Sequence, residues 1–314
     1  MRFVELFNYF CINYGKEVIL YKNKYKNQTN TMMNKKLRIL LCSVFLLAFS
    51  MASFAKDKSE KKNTCCPLFT ALELNIGGAA WVEKPLSYFT FSGPSLSVGV
   101  EMMRAAKSDS KWVQQHQLRY MFNTGTMSIS GKGGSKAYFG NYTFGMMTYS
   151  TVCPNFRLYY GPDLNVLGGV VNNVHGGNNP FTIKGDLSVG FTGMAVCDFK
   201  LGKLPVTAIY QMSLPVLSAF IQMEQGYFTE GLLDGWRGGT WGSHFNMRNR
   251  LHADLHFSTW SLRLGYNNDI LTNYATPNHF QYVSHNFVVG FTGNLMGWSK
   301  ANESKKIKTA LYTY

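Results

Sequence analysis

From about Leu68 onward the sequence alternates apolar side chains with polar or small ones. Between Phe156 and Val166 the even-numbered positions are mostly apolar, whereas the odd-numbered positions include Arg157, Asp163 and Asn165. Successive side chains of a β-strand point to opposite faces, so this pattern predicts strands with two chemically different sides. Ten such segments recur, at 69–80, 91–102, 112–122, 138–150, 156–166, 187–199, 205–216, 245–257, 260–270 and 281–297. The fold class predicted is therefore all-β.

Many of these segments reach ten or more residues, which is the length of a membrane-spanning strand. Strands of soluble sheets usually have about five or six residues, and a tilted transmembrane strand needs about nine to eleven. Short connections, such as 152–155 and 200–204, alternate with longer ones rich in Gly and Asn, as in outer-membrane barrels. We predict an antiparallel transmembrane up-and-down β-barrel of about 10 strands, or 12 if residues 217–244 form their own hairpin. An exported β-sandwich or a soluble periplasmic barrel is the competing fold.

The composition agrees with an exterior that does not face water everywhere. Charged residues make up only 15% of the chain, against about 25% in typical soluble domains, and aromatic residues make up another 15%. The longest apolar stretch, Ile39 to Phe49, is shorter than the roughly 18 residues that a membrane-spanning helix needs. These observations exclude a helical membrane protein.

The N-terminal part has the three regions of a secretory signal peptide. Met33 to Arg38 is basic, Ile39 to Phe49 is apolar, and Ser53-Phe54-Ala55 supplies small residues at the cleavage site. We expect residues 1–32 to be an upstream extension, 33–55 the signal peptide, 56–67 a periplasmic tail, 68–298 the barrel and 299–314 a periplasmic C-terminal tail. The mature protein is then located in the outer membrane.

Cysteine spacing and charge give no sign of a metal site or of nucleic-acid binding. After Ala55 the chain keeps Cys65, Cys66, Cys153 and Cys197, whose spacing matches no zinc motif. Export permits a disulfide, but the sequence does not identify one. Much of the basic excess lies in the two tails, which is typical of solvated ends. We expect no cofactor and no nucleic-acid partner. The expected partners are outer-membrane lipid and an unknown extracellular ligand.

One hairpin can be placed in register from the sequence. If Ser258-Thr259 forms a two-residue turn, Asp254 lies opposite Arg263 and Arg248 lies opposite Asp269. Both pairs join opposite charges on one face, while the other face is apolar. We interpret these four residues as structural charge pairs in the lumen of the barrel.

The lumen as a whole is predicted to be nearly neutral. The inward positions carry seven acidic and six basic residues, namely Glu73, Glu101, Asp163, Asp186, Asp198, Asp254, Asp269, Arg119, Arg157, Lys184, Arg248, Arg250 and Arg263. Because ten strands enclose little more than a space filled by side chains, we expect a plugged interior with a structural or surface-binding role.

Two other functions remain open at this stage. His252, Asp254, His256 and Ser258 share one face of a strand, which suggests an outer-membrane hydrolase of lipase or protease type. Side chains two positions apart lie about 7 Å from each other, however, so a Ser–His contact would need help from the turn. Passage of small solutes is the third hypothesis. No catalytic residue is assigned.

The longest connection contains candidate surface-recognition residues. Tyr227, Trp236, Arg237 and Trp241 are of the types that anchor binding interfaces. The alternative is that they fold back as a lid or join the aromatic girdle.

Five short motifs lie along the second half of the chain. They are Tyr160-Gly161-Pro162-Asp163-Leu164, Asn178-Asn179-Pro180, Tyr210-Gln211-Met212-Ser213-Leu214-Pro215, Glu224-Gln225-Gly226-Tyr227-Phe228 and Leu262-Arg263-Leu264-Gly265-Tyr266. These motifs resemble those of an uncharacterised Bacteroidetes family, a domain of unknown function whose members are exported and barrel-like. The resemblance covers about Cys65 to Trp298, and it implies the compartment and the fold without naming any catalytic residue.

Overall fold

The computed structural model describes residues 69–105, 111–174, 181–222, 235–257, 260–275 and 279–294. The predicted upstream extension, signal peptide, periplasmic tails and Tyr227 lie outside these ranges, as do Cys65, Cys66 and Ser258. Within the ranges, no helix has the length and apolar character needed to cross a membrane.

The described chain folds into eleven β-strands. They are β1 Phe69–Glu83, β2 Ser87–Ala105, β3 Trp112–Met127, β4 Ser135–Cys153, β5 Phe156–Asn173, β6 Phe181–Leu201, β7 Leu204–Ile221, β8 Trp236–Gly239, β9 His244–His256, β10 Ser261–Asn273 and β11 Phe280–Asn294.

Ten of these strands form a closed antiparallel barrel, as predicted. Each pairs with its neighbours along the chain, and β1 pairs with β11 to close the sheet. The remaining strand, β8, has four residues and pairs with the end of β7. In the described part of the chain, the connection between β7 and β9 therefore does not add two barrel strands, and the count is ten rather than 12.

Most of the strands are longer than the alternating segments in the sequence. They reach up to 21 residues in β6 and extend into stretches that look like loops from composition alone. Strands β4 and β5 are joined at Pro154-Asn155, and β6 and β7 at Gly202-Lys203, where Gly202 adopts a positive φ of 63°. We call the end with these short turns the turn end, and the opposite end the loop end.

The register of the β9–β10 hairpin is the predicted one. Asp254 pairs with Arg263, and Arg248 pairs with Asp269. The faces also agree, because Arg263 is buried whereas Leu264 on the same strand is 42% exposed.

The interior is layered along the barrel axis. An apolar cluster that includes Trp81, Phe139 and Tyr282 lies toward the loop end. A second cluster, with Phe69 and Tyr159, lies toward the turn end. Charged and polar side chains fill the space between the two clusters, and this middle layer contains most of the predicted lumen residues.

The wall is irregular on one side, around Pro215. The pairing of β7 with β6 shifts between Val189 and Gly190, and Gly190 pairs with Pro215. On the other side of β7, pairing with β9 ends at Ser213 and pairing with β8 begins at Ser218. Proline has no N–H to donate to the ladder, which accounts for an interruption at this point.

Candidate functional site

Five charged side chains from four strands form a network at the centre of the lumen. Arg263 Nε donates to Asp254 Oδ1 at 2.7 Å and Nη2 donates to Asp254 Oδ2 at 2.9 Å. Arg263 Nη1 lies 2.8 Å from Glu73 Oε1 and also bonds Glu101. Arg250 Nη2 donates to the same Glu73 oxygen at 2.7 Å and lies 3.3 Å from Glu101 Oε2. Three carboxylates thus share two guanidinium groups, and we call these five residues the central network.

Neutral polar side chains surround the central network. Gln211 accepts a bond from Arg250 at 3.1 Å and donates to Gln115 at 2.7 Å. His252 Nε2 lies 2.9 Å from Asn267 Oδ1, and Asn267 donates to Asn75 at 2.9 Å. The desolvation of the buried charges is therefore offset by hydrogen bonds as well as by ion pairs.

A second charged group lies nearer the loop end, and its pairing differs from the prediction. Arg248 and Asp269 are cross-strand neighbours, but the ion pair of Asp269 is made by Arg119 of β3, at 2.5 Å. Arg248 donates to Asn141 Oδ1 of β4 at 2.6 Å. The reason is closure of the barrel, which brings β3 and β4 across the lumen to face β9 and β10.

The loop end of the lumen holds another ion pair and a group of polar contacts. Lys184 Nζ lies 2.6 Å from Glu83 Oε2, and Asn246 donates to Asp186 at 2.6 Å. His244 Nε2 lies 3.3 Å from Asp186 Oδ1 and its ring stacks on Phe220. Glu83 was absent from the predicted lumen set because β1 continues beyond the alternating segment that ends near residue 80.

A chain of hydrogen bonds lies at the turn end of the lumen. Ser261 Oγ is 2.8 Å from His256 Nδ1, and His256 Nε2 is 2.7 Å from Thr207 Oγ1. Thr207 donates to Asp198 Oδ1 at 2.7 Å, and Asp198 is ion-paired with Arg157. Because the Thr207 hydroxyl donates its proton to Asp198, the Thr207 oxygen accepts a hydrogen bond from His256 Nε2. His256 Nδ1 is then the unprotonated ring nitrogen, and it accepts the hydrogen bond from the Ser261 hydroxyl. The sequence suggested Ser258 as the partner of His256, but the contact is made by Ser261.

His252 and Asp254 are held apart from this chain by other contacts. Asp254 is fully buried against Arg263, and His252 bonds Asn267. The structure therefore does not assemble His252, Asp254 and His256 into one catalytic group.

The inward side chains of the described residues are mostly buried against one another. A cavity between the central network and the loop-end apolar cluster, bordered by Arg119, Arg248 and Tyr282, has a volume of about 10 Å³, enough for about one water molecule. In the described ranges, no cluster of His, Cys, Asp and Glu is arranged to hold a metal ion.

The outer face of the barrel is mostly apolar between two levels of aromatic rings. Leu74, Leu164 and Leu264 are among many exposed aliphatic side chains. Trp112 at the turn end pairs with Thr148 of β4, and exposed Tyr138 lies farther along the same strand. With a rise of about 3.4 Å per residue and a tilt of about 40°, these two rings are about 26 Å apart along the axis. An apolar band about 25 Å tall between aromatic girdles is characteristic of outer-membrane barrels.

Charge is divided between the two faces of the wall. Every carboxylate in the described ranges faces the lumen, including Glu83 and Asp198. The described basic residues of the outer face and its turns include Lys84, Arg104, Lys111, Lys132, Lys136 and Lys203.

The described candidates for surface recognition lie together at the loop end. Trp236 and Arg237 belong to β8, and Trp241 follows in the turn before β9. Trp241 is 58% exposed, and Trp236 and Arg237 are also exposed.

The fold and the lumen together define an outer-membrane-type β-barrel of ten antiparallel strands with a filled, charged interior. The chain belongs to the family described as "Protein of unknown function (DUF3316)", whose model matches residues 37–302. This match confirms the predicted membership of a family of unknown function. A comparison with curated proteins finds no match.

Solved structures with similar chain traces include outer-membrane barrels of several kinds. The translocator domain of autotransporter NalP from Neisseria meningitidis has 10% identity and a TM-score of 0.37, covering 81% of this chain and 96% of that chain. The outer membrane protease OmpT from Escherichia coli has 6% identity and a TM-score of 0.39, covering 75% and 99%. LpxR from Salmonella typhimurium has 10% identity and a TM-score of 0.31, covering 70% and 99%. Similarities at this level have no bearing on activity.

Proposed function

We propose that this protein spans the outer membrane as a barrel with a plugged lumen and acts as a structural or surface-binding protein. The observation that carries the proposal is the division of charge and apolarity across the wall. All described carboxylates lie inside, most of them paired with arginine or lysine, while exposed leucine, isoleucine and valine side chains cover the outside. Contact with water is unfavourable for such an apolar exterior, whereas contact with lipid is favourable.

Insertion into the outer membrane is tested by cell fractionation combined with electrophoresis. We expect the protein in the outer-membrane fraction, where it migrates faster without boiling than after boiling, because a folded barrel resists detergent unfolding. Recovery in the soluble periplasm would contradict the proposal.

A structural or binding role, rather than transport, follows from the filled interior. Paired charged side chains occupy the part of the lumen that contains water in a porin. We expect no ion conductance when the purified protein is inserted into planar bilayers. Stable single-channel conductance of the wild-type protein would instead support the solute channel.

Recognition at the cell surface would use Trp236, Arg237 and Trp241. Exposed tryptophans next to an arginine are frequent anchors of binding interfaces. The test is a screen of the purified protein against glycans, lipids and host proteins, repeated with the W236A/W241A variant. The matched control is W112A/W260A, which removes two exposed tryptophans from the turn end. A ligand that binds both variants equally well would exclude this surface.

A hydrolase is the second candidate, and the hydrogen-bond chain from Ser261 to Asp198 favours it. A serine hydroxyl bonded at 2.8 Å to a histidine of defined tautomer is the pairing that activates a nucleophile. The test is labelling of the folded protein by a fluorophosphonate probe, with S261A as the variant and S284A, a lumen serine of the neighbouring strand β11, as the control. Labelling lost in S261A alone would support the hydrolase, and no labelling of the wild type would exclude it.

A further inference from the structure

The loop-end side of the β3–β4 hairpin combines two lysines with an aromatic pair. Lys136 begins β4 on the outer face, and Lys132 lies in the loop before it. Below them on the same face, Phe122 and Tyr138 make an edge-to-face contact with ring centroids 6.2 Å apart. We call these four residues the lysine–aromatic patch.

The loop that presents Lys132 is built by specific backbone contacts. Met127 N donates to Lys132 O at 3.1 Å, and Ser128 N donates to Thr90 O of β2 at 2.9 Å. Gly131 and Gly133 adopt positive φ values of 63° and 75°, which most other residues avoid. Lys132 is therefore held close to the wall rather than on a long free loop.

The height of the patch matches the boundary of the apolar band. Lys136 lies two residues beyond Tyr138 toward the loop end, so it is about 30 Å from Trp112 along the axis at the same rise and tilt. In an inserted barrel this level is occupied by lipid headgroups, while the two aromatic rings lie at the top of the acyl region.

The positive charge around the patch favours anionic lipid headgroups. No described carboxylate lies on the outer face, so Lys132 and Lys136 have no acidic neighbour there among the described residues, and Lys84 adds a further positive charge in the adjacent hairpin turn. Basic residues at a membrane surface attract anionic headgroups, and lysine is a common ligand of phosphate.

We propose that the lysine–aromatic patch binds a phosphate-bearing lipid of the outer leaflet. The lysines contact the phosphate groups, and Phe122 and Tyr138 contact the first part of the acyl chains. This inference rests on the proposed membrane insertion and adds the class of lipid that the wall recognises.

The test uses the full chain folded in zwitterionic micelles. Native mass spectrometry measures its binding of diphosphoryl lipid A and of the dephosphorylated form of the same lipid. We expect the diphosphoryl form to bind more tightly, and K132Q/K136Q to weaken its binding by about 30-fold, because each lysine near an anionic surface contributes about a factor of five. The control K200Q/K203Q removes two lysines from the turn end and should leave the affinity within about two-fold.

Three results would overturn the inference. They are equal affinity for the two lipids, equal losses in the two double variants, and complete competition by inorganic phosphate, which would indicate a phosphate site rather than a lipid site. Boiling-dependent migration of the same preparation reports on barrel folding. Vesicle insertion without lipid discrimination would therefore reject this inference and leave the proposed function intact.

Discussion

Arg263 and Asp254 face each other on neighbouring strands and are joined by two parallel hydrogen bonds of 2.7 and 2.9 Å inside the barrel. The Arg263 side chain is only 1% exposed and also bonds Glu73 and Glu101. A single guanidinium group thus compensates charge on three carboxylates from three other strands. This arrangement ties β1, β2, β9 and β10 together across the lumen.

Removing Arg263 should strongly destabilise the barrel. We expect R263A to lower the free energy of unfolding by about 3 to 5 kcal/mol, because it leaves buried carboxylates without compensation. Urea titration in phospholipid vesicles measures the change, and R104A on the outer face serves as the control, with a loss below about 1 kcal/mol. Similar losses in the two variants would contradict the role of Arg263.

The double replacement D254L/R263M should recover only part of that loss. If Asp254 and Arg263 interacted only with each other, replacing both with apolar residues would lower the free energy of unfolding much less than R263A does. In the structure, however, Glu73 and Glu101 still need a cation after the replacement, and only Arg250 of the central network remains. Full recovery of the unfolding free energy would show that Arg263 serves Asp254 alone.

A charge on the outer face should cost more near the middle of the apolar band than near the turn. Leu264 lies midway between Trp260 at the turn end and the polar Asn268 on the same strand, whereas Leu262 lies close to the turn. We expect L264R to cost about 2 to 4 kcal/mol and L262R less, measured by unfolding in vesicles. Equal costs for the two variants, or no cost for L264R, would exclude a lipid-facing β10.

Adjacent glycines of β5 should respond differently to alanine. A Cβ atom on Gly169 would lie 2.3 Å from Phe139 Cδ1 and 2.4 Å from Tyr138 O, whereas one on Gly168 meets no atom within 4 Å. We expect G169A to cost about 1 to 3 kcal/mol through overpacking and G168A to change stability by less than about 0.5 kcal/mol. The urea midpoint of each variant measures the difference, and the reverse order would contradict the close approach of β4 and β5 at Gly169.

The strands and the Asp254–Arg263 register could be predicted because they depend on local information. Period-two alternation marks the two faces of each strand, and a two-residue turn sets the register of a hairpin. The partners of Asp269 and Arg248 could not be predicted in this way. Arg119 and Asn141 reach them across the lumen, and that contact depends on how the sheet closes rather than on any neighbouring pair.

The hydrogen-bond chain at the turn end is local at Ser261 and His256 but shows the same limit beyond them. His256 and Ser261 are cross-strand partners, so the hairpin register already places them opposite each other. Thr207 and Asp198, which complete the hydrogen-bond chain, come from β7 and β6 and meet His256 through the pairing of β7 with β9. A long connection separates β7 from β9, so no regular spacing in the sequence predicts how these two strands pair.

Spin labelling of β10 tests most directly whether the barrel wall has one face toward lipid and one toward a filled interior. Nitroxides are attached to single cysteines that replace Leu262, Leu264 or Tyr266 on the outer face, or Ser261 or Asn267 on the lumen face. The background lacks Cys65, Cys66, Cys153 and Cys197, and the protein is reconstituted in bilayers. We predict high accessibility to oxygen at the first three positions, greatest at Leu264, and low accessibility to both oxygen and a water-soluble nickel reagent at the other two. Uniform accessibility to the nickel reagent along the strand would contradict the account.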